Sequence, residues 1–215
     1  MEIKKSFLPS NQYYQESTQK KMIVLHHTVS GEGLEGDLNW WKQTPERVGT
    51  HYIISRSGEI IQVLEDKHWI HHLGVTNRHL SLQGSSVSNQ RLNQLSIGIE
   101  LDNWGGLAKR NGDWYSYTGV RLPCERVQEY PRGYRGYYAF EKYPEIQLKA
   151  LEWLLKTISQ RNPIPLRYFP EMWDFNPKAL RGYHGVWSHT SFRPDKSDCH
   201  PQPDLDSMLR RIATD

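Results

Sequence analysis

The chain reads as an α/β domain, and three patterns carry that expectation. Met22-Ile-Val-Leu25 is an apolar run of strand length that ends on His26, His27, Thr28 and Ser30, as a buried strand does when it delivers polar side chains to a sheet edge. Leu95-Ser-Ile-Gly-Ile-Glu-Leu101 alternates, with Leu95, Ile97, Ile99 and Leu101 on one face and Ser96, Gly98 and Glu100 on the other. Helical periods fall between and after these strands, most clearly from Pro144, where Ile146, Ala150, Leu151, Leu154, Leu155 and Ile158 form one stripe until Asn162-Pro163 stops it.

The remaining elements follow in order. Residues 1–20 form a polar, extended lead-in, weakly structured or wrapped on the surface, ahead of a single domain over 21–215. Leu34, Leu38 and Trp41 recur at helical spacing within Leu34–Gln43, and Thr44-Pro45 closes that helix. Val48–Ser55 and Glu59–Val63 flank Arg56-Ser-Gly58 as a hairpin with glycine in the turn. Residues 75–94 are polar and read as an excursion over the surface. Residues 103–143, rich in Gly, Tyr, Trp and Arg with no sustained period, read as an irregular insertion with a short hairpin near Trp114–Val120. Gly185–His189 is a last short strand, Thr190–Pro203 a loop, and Leu205, Met208, Leu209 and Ile212 mark a terminal helix.

Composition narrows the function classes. With 215 residues, 37% hydrophobic, 12% aromatic and 24% charged, the chain suits one globular domain with an aromatic-rich cleft rather than a disordered segment. A net charge of +3 favours an anionic partner such as a cell-wall polymer, and the dispersal of Lys and Arg argues against nucleic acid. Cys124 and Cys199 are too few for a disulfide framework, so a reducing compartment is permitted. The first ten residues lack the apolar core of a secretory signal and no later run could span a bilayer, so the expectation is a protein that starts in the cytosol and has no membrane partner.

Histidines that end rigid strands are common zinc ligands, and a catalytic zinc site needs three protein ligands and an open position. His26 and His27 point to opposite faces, so one of them can enter a given cleft. The loop His189-Thr-Ser-Phe-Arg-Pro-Asp-Lys-Ser-Asp-Cys-His-Pro201 offers a second histidine and, within about a dozen residues, Lys, Asp, Cys and His. His51, His71 and His72 are assigned structural or substrate-side places, because a closed set of four ligands would leave no room for water.

The order of these segments resembles the type 2 N-acetylmuramoyl-L-alanine amidases, a family that includes cell-wall-recycling amidases, phage endolysins and peptidoglycan recognition proteins. The matching pieces are Ile-Val-Leu-His26-His-Thr, Val48-Gly-Thr-His-Tyr-Ile-Ile-Ser-Arg-Ser-Gly-Glu59, His71-His-Leu-Gly74, Ser96-Ile-Gly-Ile-Glu100 and the His189 loop, covering roughly 21–102 and 144–212. The resemblance implies a central mixed sheet flanked by helices, with Zn²⁺ in a groove on one face and the insertion outside the shared fold. His26 matches the first zinc ligand and His189 the second. For the third, the Lys196-to-ligand spacing nominates Asp198, members ending in Asp-Cys-Pro nominate Cys199, and counting back from Pro201 nominates His200. Some members carry a catalytic tyrosine where this chain has Thr50, and others a glutamate where it has Glu100; the second pattern is met here, with Lys196 as the partner that stabilises negative charge. Trp40, Trp41, Trp69, His71 and His72 lie in segments that could line the groove, Trp69 and His72 being the candidate substrate contacts. The implied reaction is hydrolysis of the amide between N-acetylmuramic acid and L-alanine of peptidoglycan or soluble muropeptides. The alternatives are a recognition module that binds muropeptide without cleaving it and a structural zinc protein. Two settings stay open for the enzyme, a recycling amidase in the cytosol and a phage-type lysin released to the wall.

Overall fold

The computed structural model describes residues 1–214. Every residue of Met22–His27 (β2) is buried, as the apolar run demands. A strand covered on both faces calls for parallel neighbours with helices on each side. β2 pairs in parallel with Ser96–Leu101 (β5) and with Gly185–Ser188 (β11). Tyr52–Ile54 (β3) lies parallel to β5 on its far side, and Ile60–Gln62 (β4) returns antiparallel to β3 through a turn in which Gly58 takes a φ of +83°. Ile3–Lys5 (β1) adds a parallel edge strand to β4, so the lead-in is wrapped onto the domain, and the order across the mixed sheet is β1-β4-β3-β5-β2-β11.

Helices close both faces. Glu35–Gln43 (α1) sets Leu38 and Trp41, with Leu34 just before it, against Leu8, Ile53, Val63, Leu64 and Ile70. The opposite face is covered by Glu145–Arg161 (α4) and Pro203–Ile212 (α6), which pack on each other. Leu151, Leu154, Leu155 and Ile158 are wholly buried, each contributing about 1.5–3 kcal/mol through removal from water. The expected stripe is corrected at its first position, because Ile146 is 47% exposed and Gln147 turns inward instead. Its amide donates to the Ile54 and Asp102 carbonyls, both at 3.0 Å, so a polar side chain caps the ends of β3 and β5.

Residues 75–94 hold two short helices, Asn77–Leu82 (α2) and Asn89–Leu95 (α3), where a surface excursion was expected. Each is too short to show a helical period, and side-chain caps start them: the Thr76 hydroxyl accepts from the His79 backbone, and the Ser88 hydroxyl from that of Arg91. A further short helix, Pro177–Leu180 (α5), precedes β11. The insertion is also more regular than its composition indicates. Ala108–Arg110 (β6), Asp113–Tyr115 (β7) and Arg121–Leu122 (β8) form one antiparallel sheet, and Val127–Tyr134 (β9) pairs with Tyr137–Glu141 (β10). Trp104, Leu107, Trp114, Leu122, Val127 and Ala139 give it a small core of its own. Buried Glu141 fastens it to the main sheet by pairing with Arg56 at 2.9 Å and with Arg126, while Arg56 also pairs with Asp102. Among the described residues no helix is long and apolar enough to cross a membrane.

Candidate active site

The carboxyl ends of parallel strands are where open α/β sheets build their sites. His26 on β2 stands in register with Glu100 on β5, and Glu100 in register with Ile53 on β3, so these three project from one face. His27 projects from the other, where its Nδ1 meets the Tyr143 hydroxyl at 2.8 Å. β11 runs parallel to β2 and ends one residue before His189, which a single 3₁₀ turn directs toward His26.

Three donor atoms converge there. His26 Nδ1 lies 3.1 Å from His189 Nδ1 and 3.4 Å from Asp198 Oδ2, and His189 Nδ1 lies 2.8 Å from the same carboxylate oxygen. All three residues are buried, and they form a group of metal-ligand type. Zinc bonds of about 2.0–2.2 Å at tetrahedral angles set ligand atoms roughly 3.2–3.6 Å apart; the His26–Asp198 separation falls in that range, and the two that involve His189 are a few tenths of an ångström shorter, so a small outward shift of His189 would seat one ion. The protonation state fits as well. His189 Nε2 is 3.0 Å from the Leu73 carbonyl, which only accepts; the ring proton therefore sits on Nε2 and the Nδ1 lone pair faces the cluster. Burial, reinforced by His189, lowers His26 to about 4 and keeps it neutral. Burial pushes the Asp198 carboxyl up, but the neighbouring imidazoles of His189 and His26 hold it well below the usual carboxylate range.

The cluster floors a cavity of about 390 Å³ whose walls include Glu100, Lys196, Thr50, Asp37, Trp40 and Trp41. Glu100 stands outside the three-atom group. Its carboxyl is raised well above the ordinary value by burial and by the nearby Asp198 charge, with Lys196 opposing. Such a group is suited to taking and returning a proton.

Of the three alternatives for the third ligand position, Asp198 is the residue that reaches the histidines. The Cys199 assignment is corrected: its thiol is buried beside Tyr143 and lies outside the group that His26, His189 and Asp198 form. His200 is stacked between Phe140 and Tyr143 and donates from Nε2 to the Glu141 carbonyl at 3.0 Å. The assignment of Trp69 to substrate is also corrected. Its ring stacks on Tyr14 at 3.8 Å and its Nε1 donates to Glu16 at 3.0 Å, so it clamps the lead-in and does not line the cavity; His71 packs edge-on against the same pair. His72 does line the cavity, but with its Nδ1 2.9 Å from His26 Nε2 it meets the candidate ligand. Asp37, which accepts from the Ser30 hydroxyl at 2.9 Å, escaped the sequence reasoning. Its spacing to Trp40 and Trp41, three and four residues on, was the available signal, since those positions share a helix face.

The model of the family described as N-acetylmuramoyl-L-alanine amidase matches residues 16–202. The chain belongs to the N-acetylmuramoyl-L-alanine amidase family. The match takes in every residue that lines the cavity, from His26 to Asp198. Solved structures with the same fold include PlyL, 14% identical over 100% of this chain and 98% of its own with a TM-score of 0.57. A mutant endolysin from Bacillus subtilis is 18% identical over 99% of both chains with a TM-score of 0.57. An AmpD derivative is 17% identical over 99% of this chain and 95% of its own, with a TM-score of 0.53. No curated protein matches. As an amidase of this family the chain is a hydrolase of linear amides, and its central mixed sheet with flanking helices is the shared scaffold.

Proposed function

We propose that this amidase is zinc-dependent and hydrolyses the amide between N-acetylmuramic acid and L-alanine in peptidoglycan, with His26, His189 and Asp198 as the metal ligands. The observation that carries the proposal is the meeting of those three donor atoms, drawn from β2 and the His189 loop, on the cavity face that also presents Glu100. Zinc held by this set supplies Lewis-acid polarisation of a water molecule and of the scissile carbonyl. Glu100 takes the proton of the attacking water as its oxygen adds to the lactyl carbonyl carbon. The same carboxyl returns that proton to the L-alanine nitrogen as the C–N bond breaks, leaving a lactyl carboxylate and a free amino terminus. Lys196 directs its ammonium toward the oxygen on which negative charge develops, a contribution of about 3–4 kcal/mol for one such donor. Trp40, 53% exposed on the cavity wall, supplies an aromatic face for sugar or stem peptide.

We place intact wall ahead of soluble muropeptide as substrate, because the insertion carries exposed aromatic rings, Tyr117 and Tyr138, in addition to Trp40 on the cavity wall. The test is release of L-alanine amino termini from purified sacculi and from soluble muramoyl peptide, with the protein loaded with zinc and after chelation. Release that disappears on chelation and returns with zinc is expected; no release from either substrate with one zinc bound per chain would leave a binding module in place of an enzyme.

A further inference from the structure

The first link of a buried chain of hydrogen bonds lies at the end of α3. The last carbonyls of a helix have no partner within it, and the Ser96 backbone N–H bonds to the Asn93 carbonyl, leaving that of Leu92 without one. The Ser96 hydroxyl fills the gap, 2.8 Å from the Leu92 oxygen. A carbonyl only accepts, so this hydroxyl donates, and its oxygen is left to accept from His72 Nε2 at 2.8 Å. With its proton on Nε2, the His72 ring presents Nδ1 as an acceptor, and His26 Nε2 donates to it at 2.9 Å. The His26 proton is thereby fixed on Nε2, and the Nδ1 lone pair faces His189 and Asp198. Ser96, His72 and His26 are 0%, 8% and 3% exposed, so all three members of the chain are buried.

The ring of His72 is held from several sides. Its backbone N–H and that of Leu73 both donate to Asn93 Oδ1, at 2.9 and 3.2 Å, and Asn93 is fully buried. The ring meets His26 edge-on at 5.0 Å. Gly98 leaves room for it, since a Cβ there would stand 3.1 Å from His72 Nδ1 and 3.0 Å from Thr50. The Leu73 carbonyl is also the acceptor that fixes the proton of His189. Two candidate ligands, 163 positions apart in sequence, are thus keyed by adjacent residues hung on one asparagine.

We propose that His72, backed by Ser96, is a positioning residue that locks His26 in the tautomer able to bind a metal through Nδ1, while Asn93 holds His72 and Leu73 so that both histidine ligands are oriented together. This rests on the zinc assignment above, with His72 acting through His26 and not on the substrate. A partner that orients a ligating histidine is worth about 10–100-fold in metal affinity.

The experiment compares wild type with His72→Leu, His72→Asn and Ser96→Ala by chelator competition for zinc and by ¹⁵N–¹H long-range NMR of the histidine rings in the metal-free protein. Thermal unfolding serves as the control for folding. His72→Leu removes the acceptor and is expected to weaken zinc binding 10–100-fold. His72→Asn keeps an acceptor oxygen near the Nδ1 position and is expected to recover most of that loss, with Ser96→Ala between the two. The NMR spectra should show His26 protonated at Nε2 in wild type and a mixture of tautomers in His72→Leu. Folded His72→Leu with undiminished affinity, or His72→Asn no better than His72→Leu, would overturn the proposal. If wild type binds no zinc, the ligand assignment fails; the tautomer of His26 then decides the relay alone, and Nδ1 protonation in wild type would refute it.

Discussion

Replacing Glu100 with glutamine separates the proton-transfer role from metal binding more cleanly than any other single change. The side chain keeps its size and its place on β5, opposite His26 in register, but loses the carboxylate proposed above as the acceptor of the water proton. A positioned general base contributes about 10²–10⁴-fold in rate, or roughly 2.7–5.4 kcal/mol of barrier. Because Glu100 lies outside the His26, His189 and Asp198 group, zinc affinity should stay within about threefold of wild type. The assay is kcat and KM for amide hydrolysis on soluble muramoyl peptide, with zinc content measured on the same preparation. A fall of kcat in that range, with KM and zinc content little changed, is expected. Activity within about tenfold of wild type would remove Glu100 from the mechanism, and loss of zinc would make it a ligand.

The other predictions concern charge placement. Lys196→Met should lower kcat by about 10²–10³-fold with KM little changed, the cost of one donor to the developing oxyanion; kinetics on soluble substrate check this, and an effect confined to KM would reassign Lys196 to binding. Glu141→Ala should destabilise the fold by about 2–3 kcal/mol in urea unfolding, because it removes charge-assisted hydrogen bonds from the half-buried Arg56, which keeps Asp102, and frees the insertion; a loss under about 1 kcal/mol would show the network to be dispensable. Lys20 is 2% exposed, burial lowers it to about 7 from 10.5, and its ammonium donates to the Gln94 carbonyl at 3.1 Å. Its folded value lies below its unfolded one, so burying the charge costs most below pH 7 and the cost fades as pH rises toward 10.5. Stability should therefore climb over that window by a few kcal/mol, and Lys20→Met should be more stable than wild type at pH 7 and lose the slope. Parallel pH profiles of wild type and variant would contradict this.

Much of the fold was legible because burial leaves period in a sequence. The continuous apolar run of β2, the alternation of β5 and the stripe of α4 each state which faces are covered. What escaped was set by polar groups acting over short stretches. α2 and α3 depend on the caps Thr76 and Ser88, and the sheets of the insertion depend on turns and a six-residue core too small to impose a period. At the site, strand alternation explains why His26 and His27 part company, and the Lys-to-Asp spacing pointed to Asp198 alongside two rivals. The choice among Asp198, Cys199 and His200 is tertiary: Tyr143 packs beside Cys199, and Phe140 with Tyr143 encloses His200, leaving Asp198 to face the histidines. The assignment of Trp69 went astray for the same reason, since its partner Tyr14 lies 55 positions earlier and no local pattern announces the pairing.

The central claim is that one zinc ion is held by His26, His189 and Asp198. Zinc stoichiometry and affinity measured on wild type, Asp198→Ala and Cys199→Ser test it most directly. One zinc per chain in wild type and Cys199→Ser, with binding lost or weakened more than a hundredfold in Asp198→Ala, is the predicted result. Retention of zinc by Asp198→Ala together with its loss from Cys199→Ser would contradict it.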